Sequence, residues 1–139
     1  MKRIVAIALF LTASLMVTRN ASAQNHAVKA NVPFNFTVND TTLPAGEYII
    51  ASELTDRATL VIIRDRANTI KAMDLALDDP SGTGKTSALV FNHYGDQYFL
   101  SKIRFASASK AIFFSPAKPE QRAKKYNKKH ETSTLIVGF

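Results

Sequence analysis

"HAVKANVPFNFTVN", residues 26–39, decides the fold class. Val28, Ala30, Val32, Phe34, Phe36 and Val38 alternate with Ala27, Lys29, Asn31, Pro33, Asn35 and Thr37. Successive side chains of a strand point to opposite faces, so this period of two means one buried face and one wet face. Pro33 falls on the wet face and has no N–H to give a ladder, which marks an edge strand or a bulge.

The same alternation continues outward from this stretch. "LPAGEY" (43–48) reads as a tight turn, with Pro44 presetting φ and Gly46 closing it. "EYIIASE" (47–53) and "ATLVIIR" (58–64) read as strands, and "DRAN" (65–68) as the loop of a hairpin. "TIKAMDLAL" (69–77) is a further strand by length and setting, with Ile70, Ala72 and Ala76 on one side and Met73, Leu75 and Leu77 on the other. "SALVFNHY" (87–94) and "QYFLSKIRFA" (97–106) flank Gly95-Asp96, a two-residue loop with glycine first, which signals a hairpin. In the second of these runs Phe99, Ser101, Ile103 and Phe105 are expected on one face, and Lys102 and Arg104 on the other. "KAIFFS" (110–115) and "TSTLIVGF" (132–139) complete the strands.

"KPEQRAKKYNKKH" (118–130) differs in character. A proline near its start, Glu120 in its first turn and lysines at its end suit a helix dipole. Ala123 and Tyr126 are its only apolar face, so a short surface helix is expected. The fold class is therefore all-β. We expect an antiparallel sandwich or small barrel of about eight strands, with a short helix before the last strand.

The first residues carry an address. Met1-Lys2-Arg3 is basic, "IVAIALFLTASLMV" (4–17) is apolar, and Ala21-Ser22-Ala23 is a small-residue exit. This order reads as a secretory signal peptide at 1–23, cleaved near Ala23. The expected product is one β domain, 24–139, periplasmic or secreted. The chain has no Cys, so disulfides, thiolate metal sites and thiol nucleophiles are excluded.

The net charge is +7, and loss of Lys2, Arg3 and Arg19 lowers it to +4. Residues 24–115 carry nine basic and nine acidic side chains, so the excess lies in 116–132. A neutral body with one basic segment is not the broad footprint of a nucleic-acid binder. Lys118, Arg122, Lys124, Lys125, Lys128 and Lys129 are candidate contacts for an anionic surface. A solvated helix is the simpler reading of them.

"DDPSGTGKTS" (78–87) ends like a phosphate-binding loop. The full motif needs a first glycine at 79 and a helix after the Thr. Position 79 is Asp, and an apolar hairpin follows, so no nucleotide is expected. Asp74, Asp78 and Asp79 lack EF-hand spacing and read as a solvated acidic loop start. His26, His93 and His130 are not spaced as a zinc pair, and no metal or cofactor is expected. His93, Tyr94, Asp96 and Arg104 are the candidate ligand or partner contacts on the central hairpin. His93 with Asp96 or Tyr94 is the one acid–base pairing available to an enzyme.

"NVPFNFTVNDTTLPAGEYII" (31–50) and "LVFNHYGDQYFLSKI" (89–103) resemble a group of small exported β-rich proteins common in acidobacteria. That group shares a signal peptide, a VPFxFxV…LPAGxY opening and a FxxYGDxYFLS centre. The resemblance implies an envelope or secreted location and a β fold. No activity is established for the group, so it assigns no residue a role. The leading expectation is a non-enzymatic domain that binds a ligand, glycan or envelope partner, or serves a structural role. Pairing of another chain along the edge of the first strand is one form this could take. The rivals are an enzyme built on His93 and a small outer-membrane barrel. For the latter, Leu135, Val137 and Phe139 form a loosely matching terminal strand, but the chain has no Trp for an aromatic girdle.

Overall fold

The computed structural model describes residues 26–82 and 84–136. The expected leader and the last three residues of the expected terminal strand lie outside the described residues.

The opening stretch is two strands rather than one: β1 (His26–Val32) and β2 (Phe36–Val38). The ladder stops at Pro33, where no N–H is available to continue it. β1 pairs antiparallel with β4 (Gly46–Leu54), while β2 pairs with β3 (Thr41–Leu43) and, in parallel, with β8 (Gln97–Phe105). Pro33 thus marks the point where the chain changes partners, and the parallel contact departs from the all-antiparallel expectation.

β4 continues to β5 (Thr59–Asp65) and β6 (Ile70–Asp79), all antiparallel. Asn68 takes a positive φ of 64° in the β5–β6 loop, where Asp65 accepts the Thr69 N–H at 2.9 Å. The far end of β6 leaves β5 and pairs with β9 (Lys110–Phe113), which pairs with β8. β8 also pairs with β7 (Ala88–Tyr94), and β7 with β10 (His130–Ile136). The hydrogen-bonded path runs β1-β4-β5-β6-β9-β8-β2-β3, and the short link Pro33–Asn35 joins β1 to β2 along the chain. Among the described residues the ten strands therefore form one large sheet that folds over a shared core, running from β1 at one end to β3 at the other, with β7 and β10 branching from β8.

The interior is a filled apolar core. Val28, Ile50, Val61 and Ile63 come from one half, and Phe36, Leu89, Phe91, Ile103, Phe105 and Ile112 from the other. Phe36 meets Tyr48 and Phe91 edge-on, with centroids 5.4 and 5.5 Å away. The Tyr48 hydroxyl donates to the Pro44 carbonyl at 2.6 Å and fixes the turn into β4. Burial pushes the Tyr48 phenol above its ordinary pKa, and Asp65 adds to the shift.

One sequence expectation fails inside β8. Lys102 pairs with Val90 but Leu100 pairs with Phe91, so Ser101 is an extra residue, a bulge. The Ser101 hydroxyl donates to the Val90 carbonyl at 3.1 Å. The bulge shifts the alternation by one. Leu100 joins Ile103 and Phe105 in the core, and Phe99 turns away from them to the outer face with Tyr94 and Ala123.

The helix α1 (Lys118–Tyr126) lies across that outer face. Ala123 packs against Tyr94 and Phe99, as its place on the helix requires. Tyr126 does not join it and is 80% exposed. The buried neighbour of Ala123 is instead Glu120, at 6% exposure, whose carboxylate accepts the Asn92 amide at 2.7 Å. Among the described residues, no helix is long and apolar enough to cross a membrane.

Candidate functional site

A groove of about 640 Å³ opens between α1, the β7–β8 turn and the β2–β3 hairpin. Each wall follows from local sequence. Gly95, at φ 61°, allows the two-residue β7–β8 turn and so sets Asp96 at its tip, with Gln97 opening β8. A side chain at Gly95 would also meet the Asn127 amide oxygen at 2.7 Å, so glycine lets the turn sit against the end of α1. Asn39, at φ 54°, turns β2 into β3 and brings Asp40 and Thr42 to the opposite wall. The Thr37 and Thr42 hydroxyls bond each other across that hairpin at 3.1 Å. The floor is Phe99, Tyr94 and Ala123, and Arg122, Tyr126 and Asn127 form the helical rim.

The groove gathers only part of the expected site. Tyr94 and Asp96 line it, and so does Arg122. Tyr94 is buried, stacks on His130 with centroids 4.8 Å apart, and has its phenol pushed up by burial and by Glu120. His93 points to the other face of β7, as adjacent strand residues must. There it stacks on Tyr98 at 4.1 Å, which in turn stacks on Phe34 at 3.9 Å. The Glu131 carboxylate lies 3.7 Å from His93 Nδ1. Lys129 holds that carboxyl below its ordinary range, with a smaller contribution from His93. His93, Tyr98 and Phe34 thus form an aromatic ladder on the edge of the core. The structure does not bring His93 to Asp96 or Tyr94.

Arg104 is equally remote. It lies six residues beyond Tyr98 on β8, roughly 20 Å along the strand. Its guanidinium packs beside Gly84, and its Nε is buried without a hydrogen-bond partner among the described residues.

The glycine-rich loop runs from β6 directly into the strand β7, so no helix follows Lys85-Thr86. Its glycine serves packing: a Cβ on Gly82 would overlap the Ala111 side chain. The three aspartates before it are divided among neighbours. Asp78 pairs with Lys110 at 2.9 Å, and Asp79 pairs with Lys102 and accepts from Ser81. Asp74 lies on the face of Ala72 and Ala76; burial raises its pKa, and Asp40 adds to this. Among the described residues, no three His, Cys, Asp or Glu side chains gather to hold a metal.

Lys102, and then Ser81, hold the Asp79 carboxyl down to about 2. A carboxylate held low in the folded state stabilises it above the ordinary carboxylate range, and loses that effect as pH falls toward the folded value. Asp79→Asn is therefore expected to melt below wild type at neutral pH. The gap should close as pH falls from about 4 toward about 2. Thermal melts of both proteins across that range check this.

The basic residues of the helix form one exposed stripe. Lys118, Arg122 and Lys125 stand at i, i+4 and i+7 and, with Gln121, line a shallow depression. Lys124 and Lys128 are also exposed, and Lys129 pairs with Glu131. The lining residues that sequence reasoning did not name as contacts include Asp40, Thr42, Gln97, Phe99, Tyr126 and Asn127. Only the Asn39-Asp40 dipeptide gave a local signal, as turn chemistry between two short runs.

Comparison of the chain with known protein families, with curated proteins and with solved structures finds no match.

Proposed function

We propose that this chain is an exported, non-enzymatic binding domain that takes a saccharide in the groove between α1 and the β7–β8 hairpin. The observation that carries this reading is the groove's lining. An exposed aromatic ring, Tyr126, stands beside Asp40, Asp96, Gln97 and Asn127. A flat ring offers a surface for the C–H face of a sugar, and carboxylates and amides pair with its hydroxyls. The volume falls in the range of ligand sites, while the polar rim disfavours an apolar ligand. Arg122 belongs to both the groove and the basic stripe, which favours a saccharide that carries acid groups.

Several features weigh against the rivals. Asp40 and Asp96 are exposed at turn tips, without the apolar enclosure that makes a carboxyl a general acid. The inward-facing core of Phe36, Phe91 and Ile103 is the reverse of a membrane barrel, whose apolar band faces outward around a polar interior. Export rests on the basic–apolar–small order of residues 1–23 and on the resemblance to exported proteins.

Screening the purified protein on an array of neutral and acidic oligosaccharides tests this. Binding is expected for a subset that includes acidic members, and Tyr126→Ala should weaken it by at least about tenfold. No binding to any glycan, or binding that Tyr126→Ala leaves intact, overturns the reading.

A further inference from the structure

The strand β6 is inside out. Its small residues Ala72 and Ala76 face the core, while Met73, Leu75 and Leu77 face away and are 55%, 60% and 46% exposed. Pairing sets this stripe beside more apolar residues: Met73 lies in register with Ile62, itself only 8% exposed, which pairs with the half-buried Ala51, and Leu75 lies in register with the half-buried Leu60. The result is a contiguous apolar face over β4, β5 and β6. Single exposed apolar residues need no explanation, but a patch of this kind marks a contact surface.

The charges around the patch are not uniform. One cross-strand row reads Lys29, Ile49, Arg64. The row Ala27, Ala51, Ile62, Met73 follows, and then Glu53, Leu60, Leu75. The face thus carries an excess of basic side chains at one end of the strands, where Glu47 is already paired with Arg66, a single Glu at the other, and no charge in the middle row.

We propose that a second copy of this chain docks on this face. A two-fold axis along the uncharged middle row turns the basic row of one copy onto the acidic row of the other. It also sets the exposed Met73 against its own counterpart, as a self-complementary interface requires. Two such sheets pack about 10 Å apart with strands nearly aligned. A partner of one net charge would match only one end of the patch. Four strands of this length make a face of about 450 Å² in plane, the low end of specific contacts, so a dimer in the micromolar range is expected. The saccharide groove lies on the outer face of the other half of the sheet. None of its lining residues lies on β1, β4, β5 or β6, so the dimer leaves both grooves uncovered.

Sedimentation of the purified protein over a range of concentrations reads the result. The wild type is expected to be dimeric at about 100 µM and largely monomeric at about 1 µM. Leu75→Glu should be monomeric throughout, with an unchanged melting curve because the position is exposed. Lys29→Glu and Glu53→Lys should each weaken the dimer about tenfold, and the two together should restore it. A wild type that stays monomeric overturns the proposal. So does a dimer that Leu75→Glu leaves intact, because another surface then holds it. Failure of the double charge exchange to restore the dimer overturns the two-fold arrangement. These results do not depend on whether a saccharide binds.

Discussion

Phe36→Ala is expected to cost about 3–5 kcal/mol, the range for deleting a large aromatic side chain from a packed core. The residue is 1% exposed and lies where the two halves of the sheet meet. It touches Tyr48 from one half and Phe91 from the other, both edge-on. Truncation removes the transfer term, leaves a cavity, and breaks two aromatic contacts worth about 0.5–1.5 kcal/mol each. The adjacent Pro33–Asn35 link ties β1 to β2, and β2 pairs with β8, so the core cannot collapse here without pulling β2 from β8. A domain of this size has about 5–15 kcal/mol in all, so the loss is a large share of it. Urea unfolding followed by circular dichroism checks this. A cost below about 1 kcal/mol would mean that the two halves are not joined through Phe36.

Asn92→Leu is the second large effect. The Asn92 amide donates to the buried Glu120 carboxylate, and its carbonyl lies 3.2 Å from His130 Nε2. It ties α1 to β7 and contacts β10. Leucine leaves the carboxylate buried without its partner, at a cost of about 2–3 kcal/mol. The helix should lift from the sheet and take Arg122 and Tyr126 with it, so saccharide binding should fall along with stability. Replacing both partners tests the cause. Asn92→Leu with Glu120→Leu should recover much of the stability, since removing both polar groups is far less costly than stranding one. Equal losses in the single and double variants would show that the bond does not hold the helix.

These two residues show what could and could not be read from the sequence. The alternation of residues 26–38 announced the core face, and Phe36 with it, because a half-buried strand has a fixed period. The glycine-first turn at Gly95 and the charge order of 118–130 were equally legible, being local chemistry. Asn92 was not, because its partner lies 28 residues away and nothing in either segment announces it. The bulge at Ser101 was hidden for a different reason. One extra residue reverses the faces beyond it, and serine carries no mark of that role, so Phe99 was read into the wrong face. In β6 the alternation separated Ala72 and Ala76 from Met73, Leu75 and Leu77 but did not say which side is buried, because both sides are apolar; only the tertiary setting turns the larger residues outward. The groove required three separate turns to converge, which no linear pattern contains.

The central claim is that the interior is a filled core and that ligand is taken outside it, between α1 and the β7–β8 hairpin. Amide chemical shifts, followed through a titration with the tightest oligosaccharide from the array, test it most directly. The account predicts shifts centred on Asp96, Gln97, Arg122, Tyr126 and Asn127, with the core strands unmoved. Shifts centred on Phe34, His93 and Tyr98 would contradict it, because the ligand would then enter at the aromatic ladder on the other face of the hairpin.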